Sequence, residues 1–335
     1  MKEKLNILSL YDGISCGRVA LGRAGIAVGS YSAFEIDKYA KAISRRNYPD
    51  IEQRGDVLDA DFAQFAGHDL VMGGSPCTFW SIAKTDREID KSGAGWKLFM
   101  RFAEAVRAIS PRFFIYENVA SMPQNIKKYI TEELGVEPIP INSALLSAQS
   151  RKRLYWTNIP NVTQPGDKGI LLQDILETGA AAREKSYCID ACYYKGGNHA
   201  RPSSQTGRRL MAYEPAMPAT PPKAPVHVGH LGTGGQGNQI YSVRGKSATF
   251  MANGGGRGGK VGLYEIDLPD GDYTVRKLTP VEAERCQTLP DNYTAFGIDD
   301  SGKTVNISDT QRYKCIGNGW TVDVIAHILG FADWR

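Results

Sequence analysis

Cys77 follows Gly73, Gly74, Ser75 and Pro76 at the close of the apolar run HDLVM. The glycines permit a sharp reversal and the proline fixes a backbone dihedral, so the thiol is carried past the strand end and toward a cleft. That placement suits a nucleophile, because sulfur attacks as an accessible thiolate. An inert buried thiol beside a turn is the plainer account. Glu117 closes a second apolar run, FFIYENV, where a carboxylate beside a buried sheet is costly unless it has a partner or a task. Arg151 and Arg153 in QSRKRLYW stand two apart and share one face of an extended chain, with a solvated pair as the alternative.

A third group of residues has the pattern of a nucleotide site. YDGISCG, from Tyr11 to Gly17, follows one apolar run and opens a helical one, where backbone N–H groups meet a nucleotide-like ligand. It is not GxGxxG, so a dinucleotide reading is weakened and an ordinary strand-to-helix turn stays open. Glu35 is placed to bond a ribose diol, and Asp56 in RGDVLD to accept from an adenine amino group. A helix cap and a surface carboxylate are the rival accounts of these two.

The elements that must position these groups can be read from the periodicity. LNILSLYDG, SYSAFEID, HDLVMGG and RFFIYENV read as strands, with a further short strand before Asp56. CGRVALGRAG, KYAKAISRRN and KLFMRFAEAVRAI read as helices between them. Repeated strand–helix units predict a parallel sheet covered on both faces, with ligands beyond the carboxyl ends of its strands. Asp12, Gly13, Glu35, Cys77 and Glu117 all fall at such ends. After about residue 160 the alternation is lost: PAMPATPPKAP is an extended connector, and the stretch from His230 to Tyr264 reads as short strands joined by glycine-rich turns. CIGNGWTVDVIAHILGF is expected to form a turn and then a helix that packs back on the first domain.

Composition narrows the class. The 335 residues are 42% hydrophobic and 23% charged, enough for one large domain or two moderate ones. No membrane-length apolar run and no secretory pattern is present, so a cytoplasmic setting is expected. Six scattered cysteines suit a reducing compartment. The net charge of +4 is small, yet Lys195 to Lys260 holds nine basic residues against Glu214 alone. That segment reads either as a surface for phosphates and base edges or as a solvated loop region.

Taken in order, YDGISCG, FEIDKYA, GDVLD, GGSPCTFWS, FIYENV, QSRKRLYW, RKLTPVEAERCQTLPDNY and IGNGWTVDV resemble the motifs of the cytosine-C5 DNA methyltransferases over nearly the whole chain. DGISCG, Ser-Pro-Cys and Trp320 look like the animal de novo enzymes. GGQGNQIYSVRGKSATFMANGGG looks like the recognition loops of the small bacterial enzyme specific for GCGC, and a bacterial or phage source is expected.

The resemblance implies an α/β fold with a mixed, mostly parallel, doubly wound Rossmann-like sheet that binds S-adenosylmethionine without a metal. It implies residues 1–165 and 306–335 as the catalytic domain and 166–305 as a smaller β-rich target-recognition domain. Cys77, aimed by Pro76, would attack C6 of a flipped cytosine. Glu117 would hold the N3 and N4 edge, Arg153 would hold O2, and Arg151 would support the loop. Cofactor contacts would come from Tyr11, Asp12, Gly13, Ile14, Ser15, Cys16, Gly17, Glu35, Ile36, Asp56, Val57, Leu98, Asn318, Gly319 and Trp320. Thr78 to about Gly95 resembles the loop that closes over the base, although GAGWKLF has one residue more before Leu98 than the family pattern. Gly319 stands where serine is common. DNA contacts are expected from Ser81, Gln236, Gln239, Arg244, Lys246, Asn253, Arg257 and Lys260. Gln236 aligns with the glutamine that fills the vacated duplex, and Gln239 and Asn253 replace an arginine and a tyrosine, so the GCGC site is not carried over. The implied partner is double-stranded DNA, bound by a monomer, with a cognate restriction endonuclease as a candidate.

Three rivals share these motifs: an RNA methyltransferase of the same fold, a catalytically silent DNA-binding paralogue, and an enzyme using a modified sulfonium donor. The glycine-rich recognition segment argues against the first, and intact Cys77, Glu117, Arg151 and Arg153 argue against the second.

Overall fold

The computed structural model describes residues 4–81, 86–181, 183–195, 210–215, 227–230, 239–241, 263–264 and 273–334. Its centre is a seven-stranded sheet built from β1 (Leu5–Leu10), β2 (Val28–Phe34), β3 (Glu52–Gly55), β4 (Leu70–Gly73), β5 (Phe113–Val119), β6 (Ile139–Asn142) and β7 (Lys152–Thr157). The order is β3-β2-β1-β4-β5-β7-β6, and β7 alone runs against its neighbours. β1 pairs in parallel with both β2 and β4, so the strand order reverses there and a crevice opens at their carboxyl ends.

Helices α1 (Cys16–Arg23), α2 (Lys38–Asn47), α3 (Ala94–Ile109) and α4 (Gln124–Leu134) alternate with the strands. Successive side chains of a strand point to opposite faces, so each strand feeds two cores. Ile7, Tyr31 and Met72 pack with α1, α2 and the C-terminal helix α7 (Val322–Leu329). Leu8, Leu10, Val71 and Tyr116 pack with α3 and α4, against Phe99, Phe102 and Ile130.

Beyond β7 the chain is irregular. β8 (Ala180–Ala181), β9 (Leu210–Pro215) and β13 (Tyr273–Lys277) form one three-stranded sheet. β10 (His227–His230), β11 (Gln239–Tyr241) and β12 (Leu263–Tyr264) form another. Helix α5 (Pro280–Cys286) starts with a capping box in which Thr279 and Glu282 bond each other's backbone, and Arg276 grips the fully buried Glu282 with both terminal nitrogens.

The chain is back against the sheet domain well before residue 306. Tyr293 donates to the Ile14 carbonyl at 2.7 Å. Gly297 of β14 (Phe296–Ile298) lies so close to α2 that a Cβ would meet that of Ala42 at 2.8 Å. β15 (Thr304–Asn306) pairs with β14. The last motif departs from the expected turn-then-helix: α6 (Asp309–Asn318) already contains CIGN, and the turn begins at Gly319. Gly317 can stay helical because its bare Cα packs on the Asp190 backbone, which a Cβ would approach to 2.2 Å.

Candidate active site

At the carboxyl ends of β1, β2, β4 and β5 lies a cavity of about 240 Å³. Glu35, Ile36, Asp56 and Val57 line one end, and Cys77, Glu117, Arg151 and Arg153 line the other. Groups more than 100 residues apart in sequence therefore face one space, as their strand-end positions require.

The nucleophile turn is braced from beneath by β5. Ser75 Oγ lies 2.7 Å from the Tyr116 hydroxyl, and Asn118 Nδ2 donates to both the Ser75 carbonyl and that hydroxyl at 3.2 Å. Pro76 leads into a single 3-10 turn, Cys77–Phe79, which places the sulfur in the cavity. The backbone N–H groups of Trp80 and Ser81 both close on the Cys77 carbonyl. Burial pushes the Cys77 thiol above its ordinary value; the Arg153 charge opposes this and Glu117 adds to it.

Glu117, flanked by those two bracing residues, points into the cavity. Arg153 Nε meets its Oε1 at 2.9 Å, and Trp320 Nε1 donates to Oε2 at 3.2 Å. Gly74 makes room for both partners, since a Cβ there would stand 3.0 Å from Glu117 Oε2 and 3.3 Å from Trp320 Nε1. Burial works against the Arg153 charge, but Cys188, Glu117 and Cys77 outweigh it and hold the guanidinium protonated.

Arg151 plays a different part. It is 4% exposed and donates to the carbonyls of Ile189, Gly317 and Gly319, tying the segment before β7 to the last motif. Gln149 and Gln287, quoted within motifs in the sequence but given no role there, complete this tie. Gln149 reaches the Cys286 carbonyl and Gln287 those of Ile316 and Gly319.

Of the predicted cofactor turn, only Tyr11 and Gly13 line the cavity. Positive φ values at Tyr11, Gly13 and Ser15 turn Asp12 inward, where it accepts from Ser9 and Tyr31 at 2.6 Å and from Ser15. Burial raises its pKa, and those three hydroxyls work against the rise. Ile14, Ser15 and Cys16 are likewise buried, and Gly17 backs onto Met72. Asp12, Ile14, Ser15, Cys16 and Gly17 are not among the residues that line the cavity, although the turn they form lies between Tyr11 and Gly13, which do, and the helix α1.

Glu35 accepts from the backbone of Gly13 at 2.8 Å and of Ile36 and Asp37 at 2.8 and 2.7 Å, so it shapes the rim as well as facing it. Asp56 caps its own turn by accepting from Leu58 at 2.9 Å, as its rival reading held, and still lines the cavity. Leu98 is kept at the cavity despite the extra residue before it: its carbonyl accepts from the Tyr11 hydroxyl at 2.6 Å. Asn318 and Trp320 line the cavity, whereas Gly319 turns its carbonyl to Arg151 and Gln287. A side chain at 319 would begin 3.0 Å from the Cys16 sulfur, a tight approach that the neighbour would have to yield to.

The cavity fits an elongated adenosyl sulfonium. Gly13 at φ 59° has open space where a Cβ would stand, Glu35 and Asp56 offer acceptors at one end, and an apolar wall at Ile36 and Val57 leads toward Cys77. Of the expected DNA contacts, Ser81 follows the nucleophile turn and Gln239 opens β11. Gln236, Arg244, Lys246, Asn253, Arg257 and Lys260 lie outside the described residues. No helix among the described residues is long and apolar enough to cross a membrane.

A family model described as C-5 cytosine-specific DNA methylase matches residues 5–331. The chain is 28% identical to the Type II methyltransferase M.HhaI of Haemophilus parahaemolyticus, over 97% of this chain and 93% of that one. It is 24% identical to the Type II methyltransferase M.NlaX of Neisseria lactamica, over 96% and 94%. The solved structure of Entamoeba histolytica methyltransferase EhMeth superimposes with a TM-score of 0.62 at 15% identity, covering 98% of each chain, and supports the fold alone.

Proposed function

The chain belongs to the C-5 cytosine-specific DNA methylase family, and from that membership we propose how its own residues divide the work. The family transfers a methyl group to C5 of cytosine in DNA. S-adenosylmethionine supplies that methyl as a sulfonium when bound, and Glu35, Ile36, Asp56, Val57, Asn318 and Trp320 would hold it.

C5 of cytosine is too weakly nucleophilic to be methylated unaided, and it is stacked inside the duplex. A base turned out into the cavity would meet Cys77. The thiol gives up its proton to solvent, the sulfur electron pair forms a bond to C6, and the ring electrons shift toward N3 and C5. Glu117, gripped on both oxygens, holds the N3 and N4 edge and handles the proton at N3. The Arg153 guanidinium holds O2 and stabilises the charge that gathers there. After C5 is methylated its proton passes to solvent, the electron pair of that C–H bond restores the C5–C6 double bond, the S–C6 bond breaks, and Cys77 leaves as the thiolate.

The observation that carries this reading is that Cys77, Glu117 and Arg153 share one cavity with Glu35 and Asp56. We also read the catalytic and recognition lobes as dividing near residue 278 instead of 305, because Tyr293, Gly297 and α6 pack on the sheet domain. A bacterial or phage-infected cytoplasm, a monomer on duplex DNA and a cognate endonuclease complete the proposal. Bisulfite sequencing of DNA from cells expressing the protein tests it, because activity and target site are reported together. Methylation retained by Cys77→Ala would reject the nucleophile.

A further inference from the structure

Cys188 lies outside every motif that carries the resemblance, yet its sulfur stands 3.3 Å from Nη1 of Arg151 and 3.8 Å from Nη2 of Arg153. Its position follows from a short stretch of backbone laid beside the arginines. Gln149 and Ser186 form a parallel bridge, Ser186 N donates to the Ala148 carbonyl at 2.7 Å, and Ser150 N donates to the Ser186 carbonyl at 2.9 Å. Ile189 N then bonds the Gln149 side chain at 2.8 Å, so Tyr187 and Cys188 are held between two anchored residues.

The two guanidiniums are not equivalent. Arg151 is fixed by three carbonyls in addition to the sulfur. Arg153 reaches into the cavity with one contact per nitrogen: Nε to Glu117, Nη1 to the Lys152 carbonyl, and Nη2 to Cys188. A guanidinium has five N–H donors, so one remains on each terminal nitrogen for a bound base. Without the sulfur, the terminal end of Arg153 is held by one backbone carbonyl and can pivot about Nε.

We propose that Cys188 is a positioning residue: its sulfur holds Nη2 of Arg153, so that the guanidinium stays aligned on Glu117 and faces the base. This rests on the reading of Glu117 and Arg153 as base-holding groups. Charge supports the geometry. Two cations share this end of the cavity with one carboxylate, and a sulfur anion would bring the cluster to neutrality. Burial alone would raise the Cys188 thiol, but the charges and hydrogen bonds of Arg151 and Arg153 outweigh it and bring the thiol below its ordinary value. The neighbouring nucleophile is shifted the opposite way. The two thiols are thus biased in opposite directions, Cys188 toward the anion by the two guanidiniums and Cys77 away from it by burial.

The test uses the full chain, S-adenosylmethionine and duplex DNA in which 5-fluorocytosine replaces every cytosine, so that no knowledge of the target site is needed. Cys188→Ala is expected to slow formation of the Cys77 adduct about tenfold, the scale on which a misplaced orienting group acts. The loss should fall in the maximal trapping rate, while the cofactor concentration that gives half of that rate should be unchanged. Cys188→Asp, which restores an anion, should recover most of that rate, while Cys188→Ser should not. An alanine variant as fast as wild type, or an aspartate variant as slow as alanine, would overturn the assignment. A parallel drop in cofactor-binding stoichiometry would make residue 188 a folding residue and overturn it equally. Absence of any adduct in the wild type would overturn the underlying reading of the cavity and this inference with it, and so the two failures are told apart.

Discussion

The indole Nε1 of Trp320 donates to Oε2 of Glu117 at 3.2 Å, joining the last motif to a carboxylate 203 residues earlier in the chain. With Arg153 on the other oxygen at 2.9 Å, the carboxyl plane is held at both ends. Trp320→Phe keeps a ring against the cavity but removes the donor. A hydrogen bond to a charged group is worth roughly 1.5–3 kcal/mol, so single-turnover methylation should fall at least about tenfold while the protein stays folded. An unchanged rate would mean that the indole N–H does nothing for Glu117.

Gly74 is the second position where the cavity leaves no slack. An added Cβ would meet the Glu117 carbonyl at 2.9 Å and its Oε2 at 3.0 Å, and the backbone oxygen cannot yield. Gly74→Ala should therefore displace Glu117 or the Cys77 turn, with methyl transfer reduced on the order of a hundredfold. Overpacking of this kind costs roughly 1–3 kcal/mol, so thermal unfolding should show a moderate loss and not collapse. Near-normal activity in a folded Gly74→Ala protein would contradict the tight fit.

The raised Cys77 thiol sets a pH dependence. The reactive thiolate becomes a larger fraction as pH rises, and with the pKa above its ordinary value of about 8.5 the increase extends past that point. The rate of adduct formation with 5-fluorocytosine DNA should climb from neutral into alkaline solution. A plateau already reached at neutral pH would show that the thiol is not held up by burial.

Two other cysteines bear on stability. Burial in the core pushes both Cys16 and Cys286 up to about 12. A thiol raised in the folded state stabilises fully below its unfolded value of about 8.5 and loses that contribution as pH climbs toward the folded value. The urea midpoint should therefore fall steadily in alkaline buffers, and Cys16→Ala with Cys286→Ala should flatten that fall at some cost at neutral pH. Parallel slopes for variant and wild type would rule these thiols out as the cause.

Legibility in the sequence followed the range of the interaction. Strand ends at Leu10, Gly73 and Val119 were readable because apolar runs stop there at turn-forming or polar residues. Cys77 and Glu117 were readable as candidates at such ends, whereas Arg151 and Arg153 joined them as a set through the resemblance to the cytosine-C5 enzymes. Their separate duties were not: Arg151 is a buried tie among three segments, and Arg153 is the one that meets Glu117. Tyr116 and Ser75, the brace under the nucleophile turn, look like ordinary strand and turn residues until β4 and β5 are paired.

The alternation of strands and helices, the residue types available for chemistry, and the end of the sheet at which they gather were all written in the linear order of residues, because hydrophobic period and turn chemistry are local properties. Long-range contacts set the rest: Asp12 is bonded by Tyr31, Gly319 lies close against Cys16, and Cys188 lies between two arginines. These are contacts between segments far apart in the chain. Left-handed turns, close packing and the return of the C-terminal helices create them, and no local pattern encodes the distances involved.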